Sequence, residues 1–154
     1  MNMSLALILH LFAVVIWIGG MFFAYMALRP AAVEVLQGPF RLRLWNKVFS
    51  KFFPWVWLSI LALFGSGYFI IFFIIGGFAD TAIYIHIMHG LGLIMLMLFL
   101  HVFFAPYQRL RKAVKNEDWE AGAAALNQIR ILIAVNLSLG IVTIVVAKIA
   151  QHLT

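Results

Sequence analysis

Residues 41–51 read Arg-Leu-Arg-Leu-Trp-Asn-Lys-Val-Phe-Ser-Lys, and residues 109–115 read Arg-Leu-Arg-Lys-Ala-Val-Lys. With Arg29 and Arg130 at their margins, these two stretches hold ten of the eleven Lys and Arg residues. Around them the chain is apolar. Four segments, about 5–28, 52–78, 82–104 and 131–150, each reach the ~20 residues that a helix needs to cross a bilayer. The connection between the second and third segments carries one charge, Asp80. The positive-inside rule then assigns the first and third connections to the cytoplasm. Both termini and the Asp80 turn fall on the periplasmic side. The expected object is an all-α integral membrane protein of a bacterial-type inner (plasma) membrane. It is a four-transmembrane-helix bundle running up-down-up-down, with residues 1–154 as one domain.

Composition fits that reading. Hydrophobic residues make up 66% of the chain and charged residues 10%, against about 25% charged in soluble domains. The net charge of +6 is then a loop bias with some attraction for anionic head groups, not a nucleic-acid signal. The absence of cysteine excludes disulfides, thiolate metal sites and thiol catalysis. The first segment lacks a charged leader and exceeds the 7–15 apolar residues of a signal peptide, so a retained helix is expected.

Arg29-Pro30 predicts the end of the first helix, because proline cannot continue the ladder. The link to Lys51 alternates cations with Phe40, Leu42, Leu44, Trp45, Val48 and Phe49, which predicts a short separate helix at the interface. The second helix starts near Pro54, with Trp55 and Trp57 at head-group level, and ends at Gly76-Gly77. Gly65-Ser66-Gly67 in its middle lets another helix approach closely. Asn116, followed by Glu117, Asp118 and Glu120, predicts a helix start with Asn116 as the cap. The alanine-rich stretch from Trp119 runs from there into the fourth helix.

Within these spans the strong metal donors are histidines. His10 lies about five residues into the first helix from the periplasmic side. His86 and His89 lie about four and seven residues into the third from the same side. At 1.5 Å per residue all three sit roughly 6–11 Å below that surface. Intramembrane ionisable side chains tend to face the bundle interior or a cavity. Imidazoles at matching height on two helices are what bis-histidine ligation of a haem b iron requires. On the helical wheel His10 shares a face with Ala13, Trp17, Gly20 and Ala24, and the small residues beside the histidine leave room for a flat macrocycle. His86 aligns with Gly90, Leu93, Met97 and His101, and His89 with Gly92 and Leu96. Both can face a wide interior, and this geometry does not choose between them. His101 lies about 18–22 Å deeper, with no second histidine at its level. It offers a ligand for a second haem, a quinone contact or a plain interhelical hydrogen bond. His152, near the terminus, is expected in solvent. Met21, Met26, Met88, Met95 and Met97 supply soft donors for a copper alternative beside the imidazoles, though methionine is also an ordinary packing residue.

The stretch from His10 through Trp17, Gly19 and Gly20 to Arg29-Pro30 resembles the first helix of the copper-resistance D (CopD) superfamily of small membrane proteins. So do Pro106-Tyr107-Gln-Arg109-Leu-Arg111 and Ile129-Arg130…Asn136-Leu-Ser-Leu-Gly140. The resemblance covers nearly the whole chain and implies a copper-related membrane protein. The HemJ-type protoporphyrinogen oxidases, associated with haem b, are distantly similar and of the same size. In that comparison His10 matches their first-helix histidine, and His89 lies near the place of a third-helix lysine that this chain lacks, as it lacks their Asn-Glu-x-Pro pattern in the fourth helix. The expectation is a haem b membrane protein, a haem-dependent oxidoreductase in the broad sense. It passes electrons between a quinone pool and a periplasmic-side partner, with a homo-oligomer or redox partner allowed. The alternatives are a copper binder or transporter and a non-catalytic helical subunit.

Overall fold

A computed structural model describes residues 2–153, with side chains placed up to residue 150. The expectation for the His152 side chain lies outside the described residues. The elements are α1 (Met3–Val35), α2 (Gly38–Ile75), α3 (Ile83–Phe104), α4 (Pro106–Lys115) and α5 (Trp119–Leu153). Four stretches are long and apolar enough to cross a membrane: α1, α2, α3 with α4, and α5. The short links between them make sequence neighbours antiparallel, which gives the up-down-up-down membrane bundle. α1 lies along α2, α3 lies along α5, and α2 meets α5. Aromatic side chains bridge α2 and α3.

Two prolines expected to break helices do not. Pro30 sits inside α1, which continues to Val35. The reason is a wide π-type turn at Ala24–Leu28, in which the Arg29 N–H donates to the Ala24 carbonyl. That shift in the ladder comes just before the residue with no N–H to give. A second π turn, Val15–Gly19, lies one turn earlier. Pro54 sits inside α2, so the expected interfacial helix and the second membrane helix are one continuous rod. Leu42, Trp45, Phe49, Phe53, Val56 and Ile60 form one buried stripe at helical spacing through the proline. Continuous packing of that stripe outweighs one missing backbone bond.

The helix ends follow simple chemistry. Asn2 caps α1 by accepting from the Leu5 N–H at 2.9 Å. Gly76 and Gly77 adopt φ of 110° and 136°, and both N–H groups donate to the Ile71 carbonyl. Only glycine takes such angles at little cost, so the pair stops α2. The cap of α5 is Asp118, whose Oδ1 accepts from the Ala121 N–H at 3.0 Å, and not Asn116. Asn116 instead closes α4 by donating its N–H to the Lys112 carbonyl, and Glu117 makes the link at φ 55°.

The cations ride on helix. At 1.5 Å per residue the 33 residues of α1 span about 50 Å, well beyond a hydrocarbon core of about 30 Å. The cation-rich ends of α1, α2 and α5 and the amphipathic α4 therefore form a collar at one end of the bundle. Arg43 pairs with Glu117 across it at 2.9 Å. The core beneath is aromatic. Phe53 stacks on Phe49 at 5.1 Å and meets Tyr107 and Phe99 edge-on at 4.8 and 5.5 Å. Leu110 and Ile129 are fully buried beside them.

Candidate functional site at the Asp80 end

At the opposite end the packing changes character. The His10 ring lies against one turn of α2, with Nδ1 2.9 Å from the Ser66 hydroxyl oxygen. The position that a Cβ on Gly67 would take is 3.7 Å from His10 Cε1. Gly65-Ser66-Gly67 is the small stretch read as a close-approach site, and it is where α1's imidazole seats. The Ser66 hydroxyl donates to the Ala62 carbonyl within its own helix. With that proton on the Ala62 carbonyl, the Ser66 oxygen is able to accept from His10 Nδ1–H; the Leu63 carbonyl, 3.2 Å away, is a second acceptor for the same hydroxyl. A neutral imidazole with its proton on Nδ1 carries a lone pair on Nε2. That tautomer suits a metal ligand, and the Ser66 contact is compatible with it.

His89 meets the same turn of α2 from α3. Its ring lies 6.3 Å from Phe64, 5.5 Å from Tyr68 and 5.3 Å from Phe78, mostly edge to face. It is half-buried and has no hydrogen-bond partner among the described residues. On α2 the contacts of His10 are Ser66 and Gly67, and those of His89 are Phe64 and Tyr68. At 100° per residue the two sets are roughly 130° apart around the helix. Two imidazoles, from α1 and α3, thus meet one turn of α2.

His86 is placed differently. It is exposed, and its Nε2 lies 2.9 Å from the Thr81 hydroxyl, which itself donates to the Phe78 carbonyl. The stripe expected to face inward with it, Gly90, Leu93, Met97 and His101, is the outer face of α3. Leu93 is 40% and Met97 64% exposed, while Met95, Phe99 and Val102 are buried. His101 is also exposed, with Gln128 Nε2 3.5 Å from its ring nitrogen. An added Cβ on Gly90 would meet nothing within 4 Å.

Trp17 and Gly20 take part in core packing. Trp17 is buried edge-on to Phe99 at 6.3 Å. The Phe52 ring occupies the space that a side chain on Gly20 would need, so Gly20 makes room for Phe52 and not for a macrocycle. Among the described residues no three His, Asp or Glu side chains converge as a ready-made metal-ion site. The sequence reading missed Ser66 as a partner for His10 and the ring cage of His89. A serine flanked by two glycines at the depth of a histidine on another helix was the available signal.

The profile of the family described as Copper resistance protein D matches residues 46–150. That stretch includes His86, His89 and His101, and His10 precedes it. No curated protein and no solved structure gives a significant match. With more than half of its length matched, this multi-pass membrane chain belongs to the Copper resistance protein D family.

Proposed function

We propose that this protein binds haem b between α1 and α3 near its Asp80 end and serves as a membrane electron carrier. The observation that carries the reading is the seating of His10 Nδ1 2.9 Å from the Ser66 hydroxyl, which itself donates to the Ala62 carbonyl, an arrangement in which Nε2 would be left to bind a metal. His89, without a hydrogen-bond partner on the same turn of α2, is the second ligand this reading favours over His86. When bound, haem supplies one-electron chemistry. The chain's part is to orient His10 through Ser66 and to pack His89 among Phe64, Tyr68 and Phe78. The electron partners in this reading are a quinone pool and a protein at the periplasmic face. The cation-rich collar faces the cytoplasm and Asp80 the periplasm, because of the positive-inside asymmetry. Periplasmic reporter fusions should be active after residue 80 and silent at residue 47.

The second reading, copper, draws on the family's description. It has less donor geometry behind it. Met21 and Met95 are buried in the core, while Met26 and Met97 are 57% and 64% exposed, so these methionines do not gather beside His10. The protein purified in mild detergent from haem-replete cells decides between the two. The haem reading expects a low-spin b-type spectrum on reduction. A colourless protein that retains stoichiometric copper would favour the second.

A further inference from the structure

At the cation-rich end, a cavity of about 300 Å³ opens between the last turns of α1, the first turns of α2 and the start of α5. Its floor is apolar and includes Trp45 and Ile133, and its rim carries Arg29, Arg41 and Arg130. No carboxylate lines it. Arg29 has only the Tyr25 ring, 5.2 Å from its guanidinium carbon. Arg41 and Arg130 have no hydrogen-bond or ion-pair partner among the described residues. All three are partly buried. By contrast Arg43, Arg109 and Arg111 each have a side-chain partner. Gly38 and Pro39, the first turn of α2, also line the cavity, and Gln37 supplies no side-chain cap to that turn. The N-terminus of a 38-residue helix adds free N–H groups and a positive dipole end.

Three partly desolvated guanidiniums with no counter-charge repel one another and lose hydration. A bound anion relieves both costs. Guanidinium forks match the oxygens of phosphate, with two parallel hydrogen bonds each. The apolar lining asks for more than a free anion, since it includes the exposed Val33 beside Trp45 and Ile133, a surface that suits a ligand with a hydrocarbon body. The volume lies at the lower end of small-ligand pockets, about 300–1,000 Å³. It accommodates a head group and the first methylenes of a chain, with the rest left in the bilayer. We propose that this cavity is a binding site for a phosphate-bearing amphiphile, an anionic phospholipid whose phosphate is held by Arg29, Arg41 and Arg130 and whose glycerol backbone and upper chain lie on Trp45 and Ile133. The proposal is independent of any haem at the other end.

Native mass spectrometry of the full-length protein, released from detergent, tests it with three added probes: phosphatidylglycerol, phosphatidylcholine and glycerol 1-phosphate. Phosphatidylglycerol should bind one-to-one and more tightly than either of the others. Arg41→Gln and Arg130→Gln, made singly, should each weaken it about tenfold, the loss of one charge-assisted contact. The control Lys112→Gln/Lys115→Gln removes two exposed cations outside the cavity and should leave the affinity unchanged. Circular dichroism confirms that each variant folds, and the single variants carry the test if a double arginine variant does not. An equal loss in the lysine control would show generic surface charge and overturn the site. Equal binding of phosphatidylcholine would overturn the need for net negative charge. Glycerol 1-phosphate binding as tightly as the lipid would assign the arginines to soluble phosphate and overturn the lipid.

Discussion

The two ends of the bundle are built on different principles. At the cation-rich end, Trp45, Phe49, Phe53, Phe99 and Tyr107 interlock as stacked and edge-on rings, and polar side chains are held on the rim. At the Asp80 end, α1 and α2 approach through Ser66 and Gly67, and two imidazoles, from α1 and α3, meet that turn of α2. In a bilayer, helices associate through close packing and a few hydrogen bonds rather than through the hydrophobic effect. The buried core of the described residues concentrates in the ring-packed half. If haem binds as proposed, stability and function should therefore be separable along the membrane normal.

The separation breaks most visibly at Phe53, whose ring touches those of Phe49, Phe99, Phe103 and Tyr107. Phe53→Ala should cost about 3–5 kcal/mol of stability, seen as a large drop in the thermal midpoint of the detergent-solubilised protein. Haem content per folded molecule should stay at the wild-type level. Loss of haem from fully folded Phe53→Ala protein would mean that the two halves are one unit.

A smaller effect sharpens the same contrast from the other end. Ser66→Ala deletes the acceptor that holds His10 Nδ1–H. Haem affinity should fall about 10–100-fold, the usual cost of losing a ligand's outer partner, with a change in thermal midpoint far below that of Phe53→Ala. Unchanged affinity in a haem titration would show that the Ser66 contact does not set the tautomer. Smaller still is His86→Ala. Its ring is exposed and tied to Thr81, so haem should stay bound with its spectrum intact and only a slight shift in midpoint potential. A high-spin or haem-free His86→Ala protein would return the ligand role to His86 and remove it from His89.

The features of this fold that could be read from sequence are those with a strong physical signal. Four apolar runs separated by two clusters of cations have one solution in a membrane. Gly76-Gly77 stops a helix wherever it occurs. Counting residues at 1.5 Å each put His10, His86 and His89 at one depth; His10 and His89 meet one turn of α2, while His86 is held at Thr81. The continuity of α1 through Pro30 was hidden because it depends on a π turn at Ala24–Leu28, a shift in register with no residue signature. The continuity of α2 through Pro54 depends on packing partners from other helices. The facing of α3 failed for a different reason. In a bilayer both the lipid-facing and the core-facing sides of a helix are apolar, so periodicity distinguishes them poorly. The wheel grouped His86 with Leu93 and Met97 correctly but could not tell that this stripe points outward. Ser66 was read as a small packing residue, because its bond to His10 joins positions 56 apart in sequence.

The central claim is that an imidazole of α1 holds a haem at the Asp80 end. Haem content and reduced-minus-oxidised spectra of His10→Ala and His101→Ala, purified in parallel with the wild type, test it most directly. His10→Ala should lose the haem, since no other residue of α1 offers an imidazole. His101→Ala should keep it, with the wild-type low-spin spectrum, because about 18 Å of helix separates the level of His89 from that of His101. A haem-replete His10→Ala protein beside a haem-free His101→Ala protein would contradict this assignment and move the cofactor to the cation-rich half.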